Sequence, residues 1–189
     1  MKTAIKVLLL EHDPSDAKLI ENELRSSGLP IELKHVRTKT EFFKTFAAFR
    51  PELVFSDYMI DGRLAGLAVM KELREKYPDQ PFIFVSWQIH EASVIEVLQA
   101  GATDYVFKER LSRLKLAMHR ALREVDDRKE RERAQADLRH SEEYFRSLIE
   151  NASDIILVRD GQAIIRYASP SVEKLLGYET SAFVGKNLL

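Results

Sequence analysis

Leu53-Val54-Phe55-Ser56-Asp57 decides the fold: a short apolar stretch that stops on a carboxylate. An uninterrupted apolar segment of this length suits a strand covered on both faces, as in a parallel sheet. Working outward, Ala4–Leu10, wholly apolar over Val7–Leu10, is a second such run, and Phe82–Val85 and Tyr105–Phe107 are two more. Ile31–Val36 alternates apolar and polar residues, which suits a more peripheral strand. Helical spacing fills the intervals. Pro14–Ser27 opens with Asp13 as N-cap and Pro14 at the first helical position. Lys39–Phe49 carries Phe42, Phe43, Phe46 and Phe49 on one stripe, Gly66–Lys76 follows the loop Tyr58–Ala65 with its Asp61-Gly62, and His90–Ala100 closes on Gly101. A further helix starts near Leu111. Five strand–helix units with short links predict an α/β fold, a five-stranded parallel, doubly wound sheet.

In such a sheet, ligands bind beyond the carboxyl ends of the strands. The residues there are Glu11-His12-Asp13, Asp57, Ser86 and Lys108. Acids, a hydroxyl and an amine from four separate segments are thus directed to one mouth. Trp87 follows Ser86 and either covers that mouth or caps the sheet edge.

Val7-Leu8-Leu9-Leu10-Glu11, Pro51 through Tyr58, Pro81 through Ser86 and Ala100 through Lys108 together resemble the receiver domain of two-component response regulators over residues 1 to about 122. The resemblance implies a flavodoxin-like fold and a phosphoacceptor, Asp57, which takes a phosphoryl group from the phosphohistidine of a partner histidine kinase or phosphotransfer protein. It implies that Lys108 and Ser86 bind phosphoryl oxygens and that Tyr105 moves inward with Ser86 as a switch. Mg²⁺ is the implied cofactor, held by Glu11, Asp57 and the backbone carbonyl of Met59, with Asp13 or His12 as candidates for the remaining ligand. Three positions depart from the family pattern. His12 stands where the second of two adjacent acids is usual, and imidazole is a poor ligand for a cation that prefers oxygen, so weak Mg²⁺ binding is expected. The loop after Asp57 is one residue longer and lacks the family's proline. Glu109, not proline, follows Lys108.

Beyond the first domain, ten of the eleven residues from Arg123 to Arg133 are charged. An apolar a/d register runs through Leu111, Leu114, Met118, Ala121 and Val125, lapses, and returns shifted at Ala134, Leu138, Ser141, Phe145 and Leu148. One long helix is expected, with 123–140 as linker, either paired in a homodimeric coiled coil or serving as a solvated spacer. His140 reads as a solvated position on it. Asp154–Val158 and Ala163–Tyr167 read as a hairpin, and Ser169-Pro170-Ser171 caps a short helix that ends at Gly177. Ser141 through Asp154, with Tyr167 through Ser171 and Leu175 through Tyr178, resemble the front half of a PAS sensor domain, a partial α+β module over 141–189. The two resemblances together suggest a fragment of a PAS-containing regulator or hybrid sensor histidine kinase. Without an ATP-binding half, this chain is not expected to be a kinase; a receiver acts only on its own phosphorylation.

Composition narrows the alternatives. The chain has 189 residues, no cysteine, 29 Lys+Arg and 30 Asp+Glu. Thiol nucleophiles, disulfides and cysteine metal sites are excluded. The charge balance argues against nucleic acid as main partner, and the short apolar runs predict no membrane span and a cytoplasmic protein. A pseudo-receiver that only binds partners is the nearest rival reading. A haloacid-dehalogenase-type phosphatase also uses a strand-end aspartate but needs a second one at position 59, which is Met. A flavodoxin-like cofactor binder needs a Ser/Thr-rich loop where Glu11-His12-Asp13 stands.

Overall fold

The computed structural model describes residues 4–60, 63–87 and 91–187. The expected Asp61-Gly62 turn and the expected helix start at His90 lie outside these residues. Two compact units divide the chain, residues 1–128 and 129–189.

The first unit holds five parallel strands, β1 (Ile5–Leu10), β2 (Ile31–Val36), β3 (Leu53–Ser56), β4 (Phe82–Ser86) and β5 (Asp104–Phe107), in the order β2-β1-β3-β4-β5. Helices α1 (Pro14–Ser26), α2 (Lys39–Phe49), α3 (Ala65–Lys76) and α4 (Glu91–Gln99) connect them. Strand alternation sorts the core into two layers. Val7, Leu9, Leu53, Phe55, Ile83 and Val85 face α1 through Ala17, Ile20 and Leu24. Leu8, Leu10, Val54, Phe82 and Phe84 face the other side, where they cluster with Phe42 and Phe46 of α2, Val69, Met70 and Leu73 of α3, and Val97 of α4. The phenylalanine stripe of α2 is therefore core. Phe42 is fully buried and meets Phe43 edge-on at 5.2 Å.

The expected α1 start is present. The Asp13 carboxylate accepts from the backbone N–H groups of Ser15 and Asp16, and Pro14 occupies the first turn. Thr38 and Glu41 form a reciprocal capping box at the start of α2. After β5 the chain enters a 3-10 turn, Lys108–Arg113, before α5 (Leu114–Asn151), a continuous helix of 38 residues. The long helix is as the sequence predicts, but the first part of its apolar register has a local explanation. Leu114, Ala117, Met118 and Ala121 pack on the same sheet face as α1. The later positions Leu138, Phe145 and Leu148 are 61%, 59% and 50% exposed. His140 is exposed as expected.

In the second unit, β6 (Leu157–Arg159) and β7 (Ile165–Ala168) form the expected antiparallel hairpin, followed by α6 (Ser171–Leu176), with Gly177 in the left-handed region. The Asp160 carboxylate accepts from the N–H groups of Gln162 and Ile164 and closes the turn. Ser169 does not cap α6 through its side chain. Its hydroxyl accepts from the Ile156 N–H instead, and the Ser171 hydroxyl donates to the Ala152 carbonyl. Both serines tie the segment before β6 to the start of α6.

Removing the Phe42 side chain empties a fully buried site. Phe42→Ala is expected to cost about 3–5 kcal/mol, whereas Leu138→Ala on the exposed part of α5 is expected to stay within about 0.5 kcal/mol. Urea denaturation of the two variants beside the parent chain checks this.

Candidate functional site

Parallel register brings the four strand ends together. Leu10 pairs with Ser56, and Ser86 with Phe107, so Glu11, Asp57 and Lys108 each follow directly on a paired strand end. The backbone locks these ends: Asp57 N–H donates to the Leu10 carbonyl at 2.9 Å, and Glu11 N–H to the Val36 carbonyl at 3.0 Å. Below Asp57 the helix α3 approaches so closely that a Cβ at Gly66 would lie 1.9 Å from the Asp57 carbonyl oxygen. Only glycine fits there.

Lys108 is the centre of the site. Its buried ammonium lies 2.6 Å from Glu11 Oε2, 2.7 Å from Asp57 Oδ2 and 2.7 Å from Asp16 Oδ2. An ammonium has three protons to donate, and three carboxylates take them. Burial alone pulls the Lys108 pKa down, but the hydrogen bonds to Asp16, Asp57 and Glu11 outweigh it and hold the group above the ordinary lysine value. Glu11 moves the other way for a carboxylate. Its burial outweighs the bonds from Lys108 and from the Asp13 N–H, so its pKa lies above 4.5.

The other face of Asp57 is equally engaged. Ser86 Oγ donates to Asp57 Oδ1 at 2.5 Å, and the Met59 N–H donates to the same oxygen at 3.1 Å. Tyr105 is buried and its hydroxyl donates to the Trp87 carbonyl at 3.2 Å. Burial, with the nearby Asp57 and Glu109 charges, pushes the phenol up to about 12, so it remains a donor at neutral pH. The Trp87 indole N–H donates to Asp16 Oδ2 at 2.9 Å.

Of the residues expected at one mouth, Glu11, Asp57, Ser86 and Lys108 meet there, Tyr105 lies beside them through its bond to the Trp87 carbonyl, and a further acid joins them. Ligand oxygens of Glu11, Asp16 and Asp57 lie within 4.8 Å of one another. Asp13, one of the two candidates for the remaining ligand, is exposed and its carboxylate caps α1. His12, the other candidate, is outside the three-carboxylate group, and its backbone carbonyl accepts from Arg37 Nε at 3.0 Å. Asp16 reads in the sequence as an ordinary first-turn acid of α1. The available signal was its place three residues after the cap, which turns it back over the carboxyl ends of the strands. Three carboxylates in such proximity, all oxygen donors, fit a small hard divalent cation. Glu109 follows Lys108 with no cis peptide bond among the described residues, and Lys108 opens the 3-10 turn.

Three carboxylates against one ammonium leave a formal excess of two negative charges when all are ionised. The raised Glu11 pKa means that the folded chain holds this proton more tightly than the unfolded one. The stability Glu11 contributes is therefore fully present below its ordinary value of 4.5 and is lost as pH rises through the raised value. The parent chain without metal should be more stable relative to Glu11→Gln at pH 4 than at pH 7, a difference that chemical denaturation at the two pH values measures directly.

Residues 7–119 match the response regulator receiver domain family, and residues 143–189 match the PAS fold. The chain is 27% identical over 129 residues to the response regulator MprA of Mycobacterium ulcerans, covering 66% of this chain and 54% of that protein. It is 29% identical over 126 residues to the uncharacterized transcriptional regulatory protein YkoG of Bacillus subtilis, covering 64% and 54%. The chain thus spans about half the length of these relatives. Among solved structures, the receiver domain of NtrX from Brucella abortus aligns with a TM-score of 0.57 at 25% identity, over 62% of this chain and 98% of that domain. The receiver domain of a signal transduction histidine kinase from Syntrophus aciditrophicus aligns at 0.56 and 25%, over 65% and 92%. No described helix is long and apolar enough to cross a membrane. With its parallel sheet, its strand-end acids and the match over residues 7–119, the chain belongs to the response regulator receiver domain family, and it carries a PAS-fold match that begins within the last turns of its long helix.

Proposed function

We propose that Asp57 is a phosphoacceptor in two-component signalling, taking a phosphoryl group from a phosphohistidine of a partner kinase or phosphotransfer protein. The observation that carries this reading is the bridging of Asp57 by Lys108 on one oxygen and by Ser86 on the other. In the transfer, an Asp57 carboxylate oxygen attacks phosphorus, the P–O bond forms, the P–N bond breaks, and the imidazole keeps the electron pair. Lys108 and the Ser86 hydroxyl are already at hydrogen-bond distance from the nucleophile, so both can follow charge onto the phosphoryl oxygens with little reorganisation. Glu11, Asp16 and Asp57, with the Met59 carbonyl, would hold Mg²⁺, which offsets the negative charge of the carboxylates and the phosphoryl group. Asp16 supplies the acid that position 12 lacks, so binding need not depend on His12.

Tyr105 acts as the relay. Its neutral hydroxyl is bound beside Ser86, and displacement of Ser86 toward a phosphoryl group opens space on its side of the sheet. The signal then leaves by β5 and α5 toward the PAS region. The exposed positions Leu138, Phe145 and Leu148, with Ser141 between them, keep the heptad spacing of a paired helix. This supports a parallel homodimer through α5, with 123–140 as the linker between a receiver at 1–122 and a PAS region at 141–189.

Incubation with acetyl phosphate and Mg²⁺ should add the mass of one phosphoryl group per chain, and Asp57→Asn should add none. A pseudo-receiver would gain nothing in either protein. Light scattering should give a dimer for the parent chain and a monomer for the double variant Leu138→Glu, Phe145→Glu; a monomeric parent at high concentration would contradict the pairing.

A further inference from the structure

Trp87 belongs to none of the roles above, yet it touches the site twice. Its indole N–H donates to Asp16 Oδ2 at 2.9 Å, the same oxygen that accepts a hydrogen bond from the Lys108 ammonium at 2.7 Å. Its backbone carbonyl accepts from the Tyr105 hydroxyl at 3.2 Å. The ring lies with its centroid 6.0 Å from the Lys108 ammonium. The residue is 48% exposed, so apolar burial alone does not account for its position.

Asp16 differs from its two neighbours in how it reaches the site. Glu11 and Asp57 follow directly on strand ends and are held by the backbone ladder. Asp16 sits in the first turn of α1 and extends a side chain across to Lys108. A carboxylate on a freely rotating side chain needs directional partners to stay in one orientation. Lys108 is shared among three acids and cannot select one rotamer of Asp16 by itself. The indole N–H is a single donor on a rigid plane, and the Tyr105–Trp87 bond ties the backbone from which that plane projects.

We propose that Trp87 is a positioning residue of the carboxylate site, its indole N–H holding Asp16 in the orientation in which Asp16, Glu11 and Asp57 converge. This rests on the phosphoacceptor reading for its functional consequence, but the Trp87–Asp16 bond itself does not. Indole is well suited to the task, because it donates one hydrogen bond and has no acceptor to compete for the Lys108 protons.

Trp87 is the single tryptophan of the chain, so its indole N–H gives one identifiable signal. In the full chain without metal, the indole N–H resonance should shift and its exchange with solvent should quicken in Asp16→Ala relative to the parent. An unchanged resonance and exchange rate would overturn the proposal, whatever the metal does. Titration with Mg²⁺ alone, followed by calorimetry, then tests the consequence. Trp87→Phe, which keeps an aromatic ring but has no donor, should weaken Mg²⁺ binding three- to tenfold, and the same change in an Asp16→Ala background should have no further effect. A Trp87→Phe effect of equal size in both backgrounds, or none in either, would overturn the positioning role. If the parent chain binds no Mg²⁺ while the indole signal still responds to Asp16→Ala, the cation assignment fails and the Trp87–Asp16 contact stands.

Discussion

The Lys108 ammonium, buried among Glu11, Asp16 and Asp57, is the interaction on which the site depends. A buried charge is tolerated only when it is paired and hydrogen-bonded. Here one cation satisfies three anions, and the imbalance between them gives the site its character. The acids exceed what one lysine can neutralise, so the cluster favours further positive charge at its mouth. Burial, with a smaller contribution from the Asp57 charge, raises the Glu11 pKa despite a direct bond to Lys108.

The sheet makes this arrangement affordable. Glu11, Asp57, Ser86 and Lys108 come from segments far apart in the chain, yet each directly follows or ends a parallel strand, and strand register fixes their spacing without help from long loops. The close approach of Gly66 to the Asp57 carbonyl and the bond from the Met59 N–H fix the acceptor from below and from the side. Rigid elements carry the residues proposed to do chemistry, while Asp16 and Trp87, one from a helix turn and one from a loop, hold each other.

Most of this was legible in the sequence because it follows from periodicity. Buried parallel strands read as continuous apolar runs, and a polar residue at the end of such a run is directed to the mouth. Asp57, Ser86 and Lys108 are of that kind. Asp16 is not: an acid in the first turn of a helix is common for reasons of helix polarity alone, and only three-dimensional proximity separates a solvated one from one that reaches Lys108. The register at Leu114, Met118 and Ala121 illustrates a second limit. A heptad-like pattern records that one helix face is apolar, not what covers it, and here the covering surface is the sheet of the same unit. Farther along α5 the same pattern at Leu138, Phe145 and Leu148 meets no such surface, which is why two halves of one helix carry different readings.

The central claim is that Asp57, among three neighbouring carboxylates, is the one that accepts the phosphoryl group. Borohydride reduces an acyl phosphate of aspartate to homoserine, so phosphorylation of the chain followed by reduction and peptide mass spectrometry reads the acceptor position directly. The account predicts homoserine at position 57 alone. Reduction at Glu11 or Asp16, or at no carboxylate of the cluster, would contradict it.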